Sequence, residues 1–444
     1  MRLIPSYLAM SLGVTVVLSA SAIAQGTQAP SGVRLGLNYA LGTKPGVLVL
    51  PMEGDEGDSV RTILQRDLDA DDRVNVVALD AKSVRGMMPK VGDKFNYPLF
   101  AKLGVAAIVQ LRSGLTGLTV NVYDVASKRL LQSGNLTLPS ETNTPVWRMA
   151  VHGASDTIEE WIFGKRGAAQ TRVAYTGGDG QIWIIDSDGA NAERLTASDK
   201  TTLAMSPAWS PDAKTIAFSG FTPRGTQIAL YSFETKDFHW KDATPRGLNI
   251  TPVFSPDGHT LAYASGDQHG TDIMLANVDD DAPARRITVG RGSDNTSPVF
   301  SPDGRQLAFM SGRPGHPEVY TMDADGTNAQ LLTDYTYGEQ SYRASPDWSP
   351  DGTKVAYESR INGDFQILTM DLRDRSTKQY TSDGVNEDPS WAPDGRHLVF
   401  SSTRSGVRQL WVVDTESGRL RQLTHARGAR LPAWSPMLKT ITGI

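Results

Sequence analysis

One ten-residue phrase recurs down this chain: "WSPDAKTIAF" (209–218), "FSPDGHTLAY" (254–263), "FSPDGRQLAF" (300–309), "WSPDGTKVAY" (348–357) and "WAPDGRHLVF" (391–400). With the shorter "WSPM" at 434–437, its proline falls at Pro211, Pro256, Pro302, Pro350, Pro393 and Pro436, at intervals of 43 to 48 residues. A period of about 40–50 residues filled with short strands is the spacing of propeller blades, not of helical solenoids.

Each repeat divides into four strands. The first carries Pro-x-aromatic (Pro207/Trp209, Pro252/Phe254, Pro298/Phe300, Pro346/Trp348, Pro389/Trp391, Pro432/Trp434), and the second is "IAF", "LAY", "LAF", "VAY" or "LVF". The third includes "QIALYSF" (227–233), "DIMLANV" (272–278), "EVYTMDA" (318–324), "QILTMDL" (366–372) and "QLWVVDT" (409–415). The fourth ends near "RRIT", "QLLT", "KQYT" or "RQLT". The repeat region opens on a second strand, "RVAY" (172–175), and ends on an unpartnered first strand, "PAWSP" (432–436). Six blades result only if the two chain ends share one blade, which also removes the exposed sheet edges of an open ring. Ser-Pro-Asp-Gly suits positions i to i+3 of a type I turn, with glycine taking the positive φ of a hairpin bulge. The repeated turn is therefore architectural.

Ahead of Thr171 the rhythm is different. "VLVLP" (47–51) reads as a buried strand, "DSVRTILQRDLDA" (58–70) as a helix capped by Asp58, and "VNVVALD" (74–80) as a second strand. "NYPLFAKLGV" (96–105) suggests a short helix leading into the strand "AAIVQLR" (106–112). "GLTVNVYDV" (117–125) and "RLLQSGNLTL" (129–138) form a hairpin around Ala126-Ser127. "TPVWRMAVHGASDTIEEWIFG" (144–164) has helical periodicity with Val146, Met149, Ile158, Trp161 and Ile162 as core candidates. This is a mixed α/β domain, and no glycine-rich phosphate loop follows its first strand.

The extreme N-terminus reads as a signal peptide over residues 1–24. Arg2 supplies the positive start, "YLAMSLGVTVVLSASAIA" (7–24) the apolar core, and Ala22-Ile23-Ala24 a cleavage site before Gln25. A membrane anchor is the weaker reading, because the apolar core is short and diluted by Ser, Gly and Thr. The expected organisation is a signal peptide (1–24), an extended segment (25–46), an α/β domain (47–165) and a six-bladed β-propeller (171–440). The expected location is the periplasm, without direct membrane insertion.

Chemistry is scarce in the sequence. There are no cysteines, so no disulfide framework, catalytic thiol or lipid-bearing cleavage site. A net charge of −5 argues against nucleic-acid binding, which needs a basic surface to displace counterions. No Gly-x-Ser-x-Gly or His-Glu-x-x-His occurs, and the seven histidines are scattered. Asp186/Asp188 and Asp323/Asp325 imitate the start of calcium loops, yet lack the closing bidentate Glu and read as tight Asp-Gly hairpins. No catalytic residue, cofactor or metal site is assigned. What remains is the rim of the channel, just before each innermost strand. There Asn249, Asn295, Thr296, Arg343, Asn386, Glu387 and Arg430 form a polar ring of mixed sign, suited to another protein or a polar ligand.

Signal peptide, lead-in, small α/β domain and a ring of "SPDG" repeats closing on "LPAWSP" together resemble the TolB family, periplasmic propeller proteins of the Tol–Pal system. The start "VRLGLNYALGTKPGVLVLPM" (33–52) is similar to that family's entry into its N-terminal domain. The resemblance covers essentially the whole chain after the signal peptide. It implies a non-enzymatic monomer whose propeller mouth holds Pal, the peptidoglycan-associated lipoprotein, and whose extended N-terminus engages the inner-membrane protein TolA. Carried across, Leu248, Asn249, Thr251 and Thr296 are Pal-facing. Val33, Arg34, Leu35, Leu37, Tyr39 and Leu41 belong to the TolA-binding, switching segment. Two departures stand out: "RGLNITP" (246–252) lacks the histidine common there, and the lead-in carries Gly36 and Asn38. The implied role supports outer-membrane integrity and envelope constriction at division. The rival readings are an exported propeller that binds a glycan or small solute, and a propeller-type lyase or peptidase accessory protein.

Overall fold

The computed structural model describes residues 37, 43–52, 59–89, 94–114, 117–197, 203–223, 225–241, 247–267, 269–280, 282–289, 293–334, 341–425 and 428–438. The expected signal peptide lies outside these, as do Val33, Arg34, Leu35, Tyr39 and Leu41 of the N-terminal segment.

The first part is a five-stranded sheet in the order β2-β1-β3-β4-β5 with helices on both faces. Its strands are β1 (Gly46–Val49), β2 (Asn75–Val76), β3 (Val105–Gly114), β4 (Gly117–Asp124) and β5 (Arg129–Thr137). β1 runs parallel to β2 and β3, and β3, β4 and β5 form an antiparallel meander. The run "VLVL" is continuous because both faces of β1 are covered. Val47 and Val49 pack under helices α1 (Ser59–Asp71) and α4 (Pro145–Phe163), whereas Leu48 and Leu50 face the side of α2 (Ala81–Met87) and α3 (Tyr97–Lys102).

α4 is set at both ends by local chemistry. Thr144 accepts the Trp147 N–H, Pro145 occupies the first turn, and Gly164 closes the helix at φ 73°. Met149, Ile158 and Ile162 are buried as the periodicity predicts, but Trp147 is buried where Val146 and Trp161 are only half-buried. The second strand is shorter than expected, only Asn75–Val76, because the chain turns at Asp80 to cap α2, a helix not foreseen in the sequence. Asp58 lies outside the described residues.

From Arg172 onward six four-stranded antiparallel sheets form the propeller. Blades 1 to 5 begin with the innermost strands Leu203–Trp209, Leu248–Phe254, Asn295–Phe300, Arg343–Trp348 and Asn386–Trp391. Blade 6 joins the C-terminal strand Ala429–Trp434 to Arg172–Gly177. The two ends are tied further, since Ser435 Oγ accepts the Arg172 N–H at 2.9 Å, and Trp209 Nε1 of blade 1 donates to Ala433 O of blade 6 at 3.1 Å.

Blade stacking explains the second-strand motif. In each large-small-large triplet the two large residues face the preceding blade and the central one faces the next. Ala217 meets Leu261 and Tyr263, Ala262 meets Leu307 and Phe309, and Ala308 meets Val355 and Tyr357. The cycle runs through Ala356 and Val399 and closes where Ala174 meets Ile216 and Phe218. All six central residues are fully buried.

The fourth-strand threonine has its own repeated task. Thr196, Thr288, Thr333, Thr381 and Thr424 each accept a third-strand N–H and donate to the polar side chain beside it (Gln181, Asp272, Glu318, Gln366 or Gln409).

Candidate functional site

Each innermost strand carries a proline, which cannot donate to a ladder and so belongs at an edge or a bulge. Here it is both. The inner strand is the sheet edge on the channel, and its pairing slips by a bulge in all six blades. The residue before each proline adopts a left-handed φ: Ser206 52°, Thr251 52°, Ser297 51°, Ser345 49°, Asp388 57° and Leu431 52°. Each such residue stores on the order of 1–3 kcal/mol unless its surroundings hold it. The holding bonds run around the ring. Thr251 N–H donates to Ser219 Oγ, Ser297 N–H to Thr251 Oγ1 and Asp388 N–H to Glu358 Oε2, each reaching from one blade to the preceding one.

The inner strands start at one end of the channel, and their other end runs into the Ser-Pro-Asp turns. The α/β domain is attached at that second end, through Asp188 of blade 6 and Arg419 of blade 5. The mouth where the sequence placed its polar ring is therefore the end opposite the α/β domain.

The ring residues divide by burial. Asn249, Asn295 and Asn386 are buried and bind the preceding blade. Asn249 Nδ2 donates to Thr226 O at 2.9 Å, Asn295 Nδ2 to Thr271 O at 3.2 Å, and Asn386 Nδ2 to Gln366 Oε1 at 3.0 Å. Their amides staple blade to blade. Arg343 is half-buried and serves the same joint, with its guanidinium 3.0 Å from Glu318 Oε2. Glu387 is half-buried and paired with Arg408. Leu248, Thr251 and Thr296 are half-buried, and Arg430 is exposed. Leu248, Thr296, Glu387 and Arg430 are thus the ring members with side-chain surface free of a stapling task.

Below the mouth the channel wall is acidic in blades 4 and 5. Burial, then the neighbouring Asp388 carboxyl, pushes Glu358 up to about 8. Burial also pushes Asp347 up to about 7, against bonds from the Trp391 and Trp348 N–H groups. Asp388 is raised by the same desolvation. These acids were not singled out in the sequence. The signal was there: Asp347 stands where the other inner strands carry Ala208, Val253, Val299, Ser390 and Ala433.

Of the six N-terminal residues singled out above, one is described, Leu37, and it is buried in the α/β core with Val47, Val60 and Trp147 among its cluster. The Asp186/Asp188 and Asp323/Asp325 hairpins bind their own turns. Asn191 and Asn328 donate to Asp186 and Asp323, and the Ala190 and Thr327 N–H groups donate to Asp188 and Asp325. No helix among the described residues is long and apolar enough to cross a membrane.

Comparison with known proteins agrees with this geometry. The PD40 family description, the TolB beta propeller domain, matches residues 160–438. The Tol-Pal system protein TolB of Xylella fastidiosa is 28% identical over 247 residues, 52% of this chain and 53% of that protein. The protein of the same name from Methylococcus capsulatus is 33% identical over 203 residues, 43% of this chain and 46% of its own. The chain thus spans about half the length of the curated relatives it matches. A crystal structure of TolB from Acinetobacter baumannii superimposes with a TM-score of 0.75 at 24% identity, covering 90% of this chain and 98% of that one.

Proposed function

The chain belongs to the TolB beta propeller family, and from that premise we propose that it is a non-enzymatic periplasmic scaffold of a Tol–Pal-type system. Its mouth receives a Pal-like lipoprotein, and its N-terminal segment engages a TolA-like inner-membrane protein. The assembly supports outer-membrane integrity and constriction at division. One observation carries the reading: the inner strands begin, with Leu248, Thr296, Glu387 and Arg430 at or next to their first residues, at the end of the propeller opposite the one where the α/β domain is bound.

The burial of Leu37 in the α/β core supports a docked state of the N-terminal segment. Release of that segment for strand addition to the second partner then competes with docking, and a ligand at the mouth biases the balance by its differential affinity.

The reading is tested by co-purification from the native envelope with the full chain and a form lacking residues 25–42. Capture of a Pal-like lipoprotein by both, with a TolA-like protein lost only from the truncation, supports it. Capture of neither partner, or thermal stabilisation by sugars or peptidoglycan fragments alone, overturns it in favour of solute binding.

A further inference from the structure

The serine–aspartate bond of the repeated turn is replaced in blade 5, and the replacement lies against the α/β domain. In blades 1 to 4 the turn serine donates to the turn aspartate: Ser210 to Asp212, Ser255 to Asp257, Ser301 to Asp303 and Ser349 to Asp351. In blade 5 the serine is Ala392, and Asp394 instead meets His397, with Nδ1 2.6 Å from Oδ2. His397 occupies the position held by Thr215, Thr260, Gln306 and Lys354 in the other blades. Asp71 of α1 approaches from the other side, so that ligand-type atoms of Asp71, Asp394 and His397 all lie within 4.8 Å of one another.

A second cluster of the same composition sits one helical turn away. His152 of α4 is 2.8 Å through Nδ1 from Asp67 Oδ2, and its Nε2 lies 3.7 Å from Asp188 Oδ2 of blade 6. Asp67 and Asp71 are spaced i, i+4 on α1 and so share a face. Each histidine therefore stands between a carboxylate of its own domain and one of the other. Both imidazoles are buried, and in each Nε2 has no hydrogen-bond partner.

We infer that this seam is a proton-dependent latch, in which His152 and His397 as imidazolium ions hold α1 against blades 5 and 6 and release it when their protons are lost. A divalent cation is the competing occupant of such clusters, but the carboxylates already face guanidinium groups. Asp188 is bound by Arg66 and Arg148, and Asp71 accepts Arg73 through both oxygens.

The charged surroundings act in one direction. Around His152, burial opposes the charge, but Asp67, Asp188 and Asp186 outweigh it and hold the imidazole above its ordinary range. Facing the same pocket are Arg66 on α1, Arg148, Asp156 and Glu159 on α4, and Arg421 on the outer strand of blade 5. Around His397, burial is again outweighed, by Asp394 first and then by Asp71 and Asp414. Arg73, just after α1, and Arg396, Glu416, Arg419 and Arg421 of blade 5 complete its shell, with Asp72 contacting Arg419.

A raised histidine gives its stabilisation in full below the free value of about 6.5 and loses it as pH climbs through the raised one. Asp156 and Glu159 add to the same trend. Burial raises both, Asp156 to about 7, so rising pH forces charge into the seam. Asp72, held near 2 by Lys44 and Arg419 against its burial, and Asp394, held below the carboxylate range by His397, lose their contribution only in acid. The seam is therefore tightest in mild acid and loosens toward alkaline pH.

The test is hydrogen–deuterium exchange of the full chain from pH 5.5 to 9, corrected for the intrinsic rate. Protection of segment 59–71 is expected to fall about tenfold or more, while segment 260–277 of blade 2 holds. The His152→Gln and His397→Gln forms should lose protection of 59–71 already at pH 6 and show a flatter profile. Constant protection in the wild type, or an unaltered profile in both variants, overturns the inference. Should a variant not fold, NMR titration of the wild-type histidines decides. Two imidazoles titrating above 6.5 in step with the loss of protection support the latch, and none doing so overturns it.

Discussion

The indole N–H of Trp434 donates to Thr171 Oγ1 at 2.8 Å, joining positions 263 residues apart. This contact sits where the last inner strand enters the sheet begun at Arg172, so the ring is closed by the two ends of one chain. Trp434 also packs in the cluster with Val173, Tyr175 and Leu410. Trp434→Ala should cost about 3–5 kcal/mol, the usual loss for a buried aromatic. Thr171→Val removes this bond and the one its hydroxyl donates to Ala168 O, and should cost about 1–3 kcal/mol. Urea unfolding checks both, and equal losses would show that the bond rather than the packing closes the ring.

The turn offers a gain instead of a loss. Gly258, Gly304, Gly352 and Gly395 occupy its fourth position at φ 80°, 71°, 72° and 68°, but blade 1 places Ala213 there at 61°. A left-handed conformation costs an L-residue roughly 1–2 kcal/mol, partly offset by glycine's greater freedom in the unfolded chain. Ala213→Gly should therefore stabilise by roughly 0.5–1 kcal/mol. Calorimetry reads it as a rise in Tm, and a fall would mean that the buried methyl matters more than the torsion.

Blade stacking makes the opposite demand. Ala308 is fully buried beneath Val355 and Tyr357 of the next blade. Ala308→Leu should overpack this joint and destabilise by about 1–3 kcal/mol. Ala308→Gly leaves only a methyl-sized gap and a more flexible strand, so it should cost less than the leucine. The order is read from denaturation midpoints.

The propeller was legible because its restraints are local and repeated. Proline in all six first strands, Ser-Pro-Asp in the turns of blades 1 to 4 and alanine between two large residues in all blades but the fifth each give one blade one geometry, and the repetition reinforces the period. The closure followed from strand count alone. α2 was missed because "AKSVRGM" has no apolar stripe, and its start depends on the Asp80 cap, which bonds Ser83 N–H. The mouth was only partly legible. Sequence position put Asn249 and Thr296 on the same rim, but burial depends on the preceding blade, whose third strand takes the Asn249 amide. The proposed His397 latch was written as one departure, Ala392 for serine, and its meaning needed Asp71, far upstream in the other domain, to be in place.

The channel wall predicts its own pH response. Glu358 is held near 8 by burial and by Asp388, against an ordinary 4.5, so it is neutral in the fold at neutral pH. An acid raised on folding stabilises least at high pH: the advantage fades from the unfolded value upward and is gone above the folded one. Glu358→Gln keeps an acceptor for the Asp388 N–H and removes the titration. The variant should match wild type near pH 5 and exceed it at pH 9, which melting curves across that range will read. A constant offset at every pH would place the ionisation elsewhere.

Two rim residues separate building from the proposed recognition. Asn295 is fully buried, donates to Thr271 O at 3.2 Å and Asp272 Oδ1 at 3.2 Å, and accepts from Ser311 Oγ at 2.8 Å. Asn295→Ala leaves those groups unpaired and should cost about 1–3 kcal/mol. Arg430 is exposed on the same rim, and truncation there should stay within about 0.5 kcal/mol of wild-type stability. Partner capture should respond in the reverse order. Arg430→Glu inverts the charge a partner meets and should weaken capture of the Pal-like lipoprotein at least tenfold, about 1.4 kcal/mol, with no change in Tm. Asn295→Ala, assayed well below its own melting point, should capture almost normally. If capture follows stability across the two variants, the rim acts only as scaffold, and recognition lies elsewhere on the propeller.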